Sequence, residues 1–99
     1  MAKLRIDLGE GFAGDAVEVS VDGVVVYSRR DVRTDYAVGL ADFIELEPAG
    51  DSAQVEVRLP TRGLVERKTI PLRAPTQFVS VAAGDRIAIR ILASPPEYF

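Results

Sequence analysis

The chain has 99 residues, of which 47% are hydrophobic and 27% are charged, values typical of a folded globular protein. It contains neither histidine nor cysteine, so the side chains on which zinc sites and most catalytic triads depend are missing. Its net charge of −3 is spread unevenly: residues 1–57 carry five basic and twelve acidic side chains, whereas residues 58–73 carry five basic side chains and one acidic. A mainly acidic chain of this kind argues against nucleic acid as a partner.

No segment has the length of a membrane-spanning helix, and charged residues interrupt the N-terminal stretch where a signal peptide would have its apolar core. We therefore expect a cytoplasmic protein with no membrane partner. The length is close to that of one ordinary domain and no segment resembles a linker, so residues 1–99 are predicted to form a single domain.

Apolar residues recur at every second position in a series of short segments, as they do in strands that bury one face. In the first segment, Leu4, Ile6 and Leu8 alternate with charged residues. Segments of this kind are predicted as strands at residues 3–8, 17–21, 24–27, 42–47, 54–59, 64–72, 78–83 and 86–92.

The residues between and within these segments indicate how the strands are arranged. Asp22-Gly23 predicts a two-residue type I′ hairpin turn, because Gly accepts a positive φ freely and Asp tolerates it. Lys68 inside its segment and Pro71 near the end are typical of a strand at the edge of a sheet. The only candidate for a short helix is Asp35–Phe43.

Eight short strands joined by Gly, Pro and Asp turns predict an all-β fold. We expect an antiparallel β-sandwich of seven or eight strands, and a small, partly open β-barrel is the alternative.

The loop Gly9–Gly14 formally matches the G-x-G-x-x-G pattern of dinucleotide-binding sites. That chemistry needs a helix after the loop, whose N-terminus faces the pyrophosphate, whereas the strand pattern of residues 17–21 follows here. We therefore interpret the loop as a flexible connection between strands and expect no cofactor. Because no serine lies in a Gly-x-Ser-x-Gly context, we also predict no catalytic residues and a non-enzymatic function.

Three carboxylates, Asp31, Asp35 and Asp42, lie on or beside one long connection and could converge on a calcium ion, although no calcium-loop pattern accompanies them. Asp is also favoured near turns for its backbone hydrogen bonds. With Tyr27 or Tyr36, these carboxylates leave open an alternative function in carbohydrate- or calcium-linked ligand binding.

Residues 28–41 form the longest stretch without alternation, and long ordered loops on β scaffolds often carry the binding surface. The stretch contains arginine and tyrosine, which are enriched at the energetic centres of interfaces. The sequence therefore predicts a protein-interaction or assembly module whose candidate interaction residues are Arg29, Arg30, Arg33, Asp35 and Tyr36. The partner is expected to be a protein, and a homodimer formed through an outer sheet face with Val25, Tyr27 and Phe43 is one form it could take. The alternative is that residues 28–41 only cover an open end of the sandwich and bind no partner.

Overall fold

The computed structural model describes residues 2–73 and 75–93 and confirms the all-β prediction. A single 3₁₀ turn, Pro60–Arg62, lies among the described strands. The strands are β1 (Lys3–Leu8), β2 (Ala13–Val21), β3 (Val24–Arg33), β4 (Asp42–Leu46), β5 (Ser52–Leu59), β6 (Leu64–Pro71), β7 (Thr76–Ala83) and β8 (Ile87–Leu92).

These strands form two four-stranded sheets that pack face to face. The first sheet has the order β4-β1-β7-β8 and the second has the order β3-β2-β5-β6. Only β1 and β7 pair in parallel; the other neighbours are antiparallel. Since neither sheet closes on itself, the sandwich prediction is confirmed and the barrel alternative is wrong.

The core lies between the two inner faces and follows from the period-two pattern. Leu4, Ile6 and Leu8 of β1 are fully buried, as are Val55 and Val57 of β5. Each such side chain stabilises the fold by roughly 1.5–3 kcal/mol through removal of apolar surface from water. The alternation is therefore the main reason why the sandwich forms.

The hairpin between β2 and β3 confirms the predicted turn, because Asp22 has φ 51° and Gly23 has φ 83°. The strand after the turn is longer than expected, however, since β3 continues to Arg33. Residues 28–33 are thus strand, and the connection is confined to residues 34–41. β3 lies at the edge of its sheet, where side chains on both faces reach solvent. Apolar and polar residues therefore do not alternate along this strand.

The candidate segment for a short helix, Asp35–Phe43, is not helical; it makes a turn and then enters β4. Asp35 organises that turn, since its carbonyl oxygen accepts hydrogen bonds from the N–H groups of Val38 (3.1 Å) and Gly39 (2.7 Å). Antiparallel pairing of Asp42–Leu46 with β1 outweighs any local helical preference.

Each margin of the sandwich brings together one edge strand from each sheet. At one margin β3 lies against β4, and at the other β6 lies against β8. The position of β6 at an edge confirms the prediction made from Lys68 and Pro71. Because the sheets do not close, polar side chains bridge both margins, and one of these bridges forms the site described next.

Candidate functional site

A cleft of about 260 Å³ opens at the margin between β3 and β4. It is lined by Tyr27, residues 29–33, Ala41 and Asp42. Three of the five predicted interaction residues, Arg29, Arg30 and Arg33, are therefore brought together in one place.

The inner wall of the cleft is a polar bridge between the two sheets. The Tyr27 hydroxyl donates a hydrogen bond to Asp42 Oδ2 at 2.9 Å, and Arg29 Nη1 lies 3.3 Å from the same oxygen. The other oxygen of Asp42 accepts the backbone N–H of Phe43 at 2.9 Å. The Arg29 guanidinium also lies over the Tyr27 ring, 5.8 Å from its centroid. Asp42 thus holds Arg29 at the rim of the cleft.

The environment of Tyr27 keeps its phenol protonated. Burial and the hydrogen bond to the Asp42 carboxylate raise the pKa of Tyr27 to about 12, although the nearby Arg29 acts in the opposite direction. At neutral pH the hydroxyl is therefore a hydrogen-bond donor, and the bridge to Asp42 stays closed.

The outer wall is shaped by a β-bulge in β3. Arg29 pairs with Val17 and Val32 pairs with Asp15, so two residues of β3, Arg30 and Asp31, lie opposite one residue of β2. Asp31 takes a φ of 55°, the left-handed conformation found at bulges. The bulge turns the side chains at positions 30 and 31 out of the regular alternation.

Asp31 in turn holds Arg33. Both Nε and Nη2 of Arg33 lie 2.9 Å from Asp31 Oδ1, on a surface where each side chain is 69% exposed. Gly14 of β2 leaves room for this pair, because a Cβ at Gly14 would lie 3.1 Å from Arg33 Nη2 and 3.2 Å from Asp31 Oδ1. Arg33 is therefore paired with Asp31 across the bulge.

Arg30 differs from its two neighbours. It is exposed, and within residues 2–73 and 75–93 it makes no side-chain hydrogen bond and no ion pair. The cleft therefore combines two guanidinium groups held by carboxylates with a third that is not.

The other two predicted interaction residues lie outside the cleft. The Asp35 side chain accepts the N–H of Ala37 at 3.0 Å and so supports the turn of residues 35–39. Tyr36 is at the tip of that turn and is 72% exposed. The sequence analysis named Tyr27 and Asp42 together only for the alternative ligand-binding function. It did not predict their contact with each other, because the two strands that carry them belong to different sheets.

The proposed outer face for a homodimer is not formed. Tyr27 pairs with the buried Val19 and Val25 pairs with Ser20, so Tyr27 faces inward and Val25 faces outward. Phe43 lies on the other sheet, where the Arg5 guanidinium stacks on its ring at 4.3 Å. The predicted face is wrong because a register shift at Val26 moves Tyr27 to the inner side of β3. The terminal aromatic pair Tyr98-Phe99, which the sequence predicts to pack on the chain's own sheet or else against another subunit, lies outside the described residues.

The carboxylates singled out for calcium have other partners. Asp42 is bonded to Tyr27 and Arg29, Asp31 to Arg33, and Asp35 to its own turn. In the part of the chain that the structure describes, no three such side chains come close enough together to hold a metal ion.

The glycine-containing loop is firmly anchored rather than flexible. The Gly9 N–H donates to the Val81 carbonyl at 2.8 Å, and the Phe12 N–H donates to Thr34 Oγ1 at 3.1 Å. Gly11 approaches β7 so closely that a Cβ there would lie 1.8 Å from the Ala83 carbonyl oxygen. A strand follows the loop, as predicted, so the geometry of a dinucleotide site is not formed.

A partly buried ion pair, in which Asp15 is buried and Arg62 is partly exposed, fixes the same end of the sandwich. Arg62 Nε and Nη2 each lie 2.8 Å from an oxygen of Asp15, and Nη2 also donates to the Gly11 carbonyl at 2.7 Å. Burial by itself raises the pKa of Asp15, but hydrogen bonds from Arg62 and the Ala13 N–H outweigh it and hold the pKa below its ordinary value of 3.8. This pair joins β2, the 3₁₀ turn and the glycine-containing loop.

A second buried carboxylate, Asp7, lies on the outer face of the central strand β1. Its side chain is completely buried, and Oδ1 accepts a hydrogen bond from Arg5 Nε at 2.9 Å. Its other oxygen, Oδ2, accepts no hydrogen bond from any residue that the structure describes. Leaving a carboxylate oxygen buried in this way reduces the stability of the fold.

No helix in the described ranges combines the length and apolar character needed to cross a bilayer. Comparison with known proteins gave no match to a family model, to a curated protein or to a solved structure.

Proposed function

We propose that this protein is a non-enzymatic interaction module that binds an acidic segment of a partner protein in the cleft between β3 and β4. The observation that carries the proposal is the convergence of Arg29, Arg30 and Arg33 on one cleft at an exposed margin. Arginine is enriched among the residues that dominate binding energy at protein interfaces.

The cleft keeps free hydrogen-bond donors even where its arginines are paired. A guanidinium carries five N–H donors, and the contacts of Arg29 with Asp42 and of Arg33 with Asp31 occupy only part of each set. Carboxylates of a partner would accept the remaining donors in charge-assisted bonds, which are stronger than neutral ones. Acidic side chains are therefore the chemistry that suits this surface.

Preorganisation also supports the proposal. Arg29, Arg30 and Arg33 lie on a paired strand, and two of them are held by carboxylates of the same protein. Holding side chains in place before binding reduces the entropy that binding must overcome. A cleft built on a strand is thus better suited to recognition than a mobile loop.

The test is a double charge reversal, Arg30→Glu with Arg33→Glu, probed with a fluorescein-labelled oligoglutamate peptide. We expect its affinity, measured by fluorescence anisotropy at low salt, to fall about tenfold or more. The matched control is Arg58→Glu with Arg67→Glu, which makes the same change in net charge on the outer face of the second sheet.

In the supporting outcome, the control binds the peptide nearly as well as the wild type, and backbone amides of residues 29–33 shift in NMR spectra on titration. Equal losses in the two double variants would show that only net charge matters, and the proposal would then be wrong. The melting temperature of each variant establishes that the fold is retained.

A further inference from the structure

The opposite margin of the sandwich carries a second surface, which is independent of the arginine cleft. β8 pairs with β7 over Ile87–Leu92 and, among the residues that the structure describes, has no strand on its other side. We propose that this edge of β8 binds an extended peptide segment in which apolar residues alternate with acidic ones, added to the sheet as a further strand.

The hydrogen-bonding groups that face outward can be identified. Lys68 Nζ, from the other sheet, donates to the Ile89 carbonyl at 3.3 Å, so this carbonyl points away from β7. The carbonyl of Val81, the residue opposite Ile89, likewise points away from β8, because it accepts the Gly9 N–H. In an antiparallel ladder these directions alternate along the strand, so Ile87, Ile89 and Ile91 present their N–H and C=O groups at the edge.

The other three edges carry features that discourage pairing with a further strand. β3 contains register shifts and a bulge, and β4 has only five residues. β6 directs Glu66 and Lys68 towards the inside of the sandwich, since they pair with the buried Val57 and Val55. Inward-pointing charges are a recognised protection of edge strands. β8 has neither a register shift nor an inward-pointing charge of its own.

The inner side of the β8 edge carries three isoleucines, of which Ile91 is partly uncovered. Ile87 and Ile89 are buried and line a cleft of about 320 Å³ between β6 and β8, together with the charged side chains of Glu66, Arg67 and Lys68. Ile91 is 40% exposed although it pairs with the fully buried Val79. A strand added beside β8 would place its own inward side chains next to these isoleucines, so apolar residues are favoured at alternate positions of the partner.

The outer side of the same edge is basic. Arg90 pairs with Ser80 on the outer face. Arg86 lies just before the strand, at an even spacing from Arg90, and is therefore assigned to the same face. Neither arginine forms an ion pair with any described residue. Cross-strand neighbours of opposite charge stabilise a pairing and like charges oppose it. The outward residues of the partner strand are therefore expected to be Asp or Glu.

Lys68 occupies the place that the partner would take. Its ammonium group makes one hydrogen bond of 3.3 Å to the Ile89 carbonyl, from a long and flexible side chain that is itself exposed. A backbone N–H of an added strand would replace this bond and release Lys68 to water. Lys68 thus weakens strand addition without preventing it.

The test uses a labelled peptide of alternating Val and Glu, roughly as long as an ordinary strand, and a second peptide of alternating Val and Lys. Binding is measured by fluorescence anisotropy on the full chain. We expect the acidic peptide to bind and the basic peptide to bind at least about tenfold more weakly. Lys68→Ala is expected to tighten binding of the acidic peptide.

A matched pair of variants isolates the backbone contribution. Ile91→Pro removes an outward N–H that is not used in the β7–β8 ladder, and Ile91→Ala removes the side chain but keeps that N–H. We expect Ile91→Pro to bind about fivefold or more weakly than Ile91→Ala, the equivalent of one lost hydrogen bond. Arg90→Glu provides a second test, because it should reverse the preference between the two peptides whether or not the proline variant folds.

Because the arginine cleft is itself proposed to bind acidic segments, the two peptides are also compared in the Arg30→Glu and Arg33→Glu double variant, which should still prefer the alternating acidic peptide to the basic one. Equal affinity for the two peptides, or no change of preference in Arg90→Glu, would overturn the proposal. So would light scattering that shows the wild type self-associating and Ile91→Pro monomeric, because the edge would then belong to a second copy of the chain.

Discussion

The hydroxyl oxygen of Tyr27 lies 2.9 Å from Asp42 Oδ2, and this hydrogen bond joins β3 of one sheet to β4 of the other. The two residues close one margin of the sandwich and at the same time hold Arg29 beside the cleft. On the opposite margin, the bond from Lys68 to the Ile89 carbonyl joins β6 to β8 in a comparable way. The open sides of the fold are thus closed by polar contacts, and both proposed binding surfaces lie next to one.

The Tyr27–Asp42 hydrogen bond predicts that Tyr27 loses its proton at a higher pH than an exposed tyrosine does. Burial and the Asp42 carboxylate raise the pKa of Tyr27 from 10.0 to about 12, so the difference between wild-type and Tyr27→Phe absorbance titrations should show a step near pH 12. Tyr36→Phe, which removes an exposed phenol, is the control and should retain that step. Because the folded pKa lies above the unfolded one, the stabilisation from Tyr27 is complete below pH 10 and is lost as the pH rises towards 12. A Tyr27 step at pH 10 would contradict the contact.

The Asp15–Arg62 pair predicts a large loss of stability on truncation. Arg62→Ala leaves the buried Asp15 carboxylate without its two strongest donors, and we expect the free energy of unfolding to fall by about 2–3 kcal/mol. Arg58→Ala, which removes an exposed arginine bonded to Glu56, should change stability little. Urea denaturation of the two variants measures the difference, and equal effects would count against a structural role for the pair.

The unpartnered oxygen of Asp7 predicts a stabilising substitution. Asp7→Val places a β-branched residue in a central strand and removes a buried oxygen to which no described residue donates a hydrogen bond. Arg5 would keep its contacts with Phe43 and Glu45. We expect the free energy of unfolding to rise by about 1 kcal/mol. The control Glu45→Val removes an exposed carboxylate from the neighbouring strand and should give no comparable gain, and a lower melting temperature for Asp7→Val would disprove the interpretation.

Alanine substitutions at Gly11 and Gly39 separate two effects: the strain of a positive φ, which both positions share, and a steric clash of the new Cβ, which occurs at Gly11. Gly11 has φ 91° and Gly39 has φ 75°, so alanine is strained at both positions. Only at Gly11 would the new Cβ meet the Ala83 carbonyl oxygen, at 1.8 Å, whereas nothing lies within 4 Å at Gly39. We expect Gly11→Ala to lower the free energy of unfolding by about 2 kcal/mol more than Gly39→Ala. Equal melting temperatures for the two variants would mean that the loop does not pack against β7 as described.

The sequence pattern predicted the bounds of β1, β4, β6 and β8 to within one residue, whereas β2 and β3 extend further than predicted. Residues 3–8 alternate strictly and form β1 with the predicted bounds. In β3 the register shift at Val26 and the bulge at Asp31 break the alternation, so the strand was predicted to end at Tyr27. The arginines of the cleft were identified by residue type, but Asp42 as their partner was not.

Period-two placement of aliphatic residues, with turn residues between the segments, determined by itself that the chain is all-β with one face of most strands buried, and the sheet topology then decided for the sandwich over the barrel. Which of these side chains are buried depends on their position within each strand. It can therefore be predicted without knowing which strands are neighbours. Only the tertiary structure decided that Tyr27 contacts Asp42, that Arg62 contacts Asp15, and that no other described strand pairs with the outer edge of β8. Such contacts depend on sheet order and register, which bring together residues up to 47 positions apart.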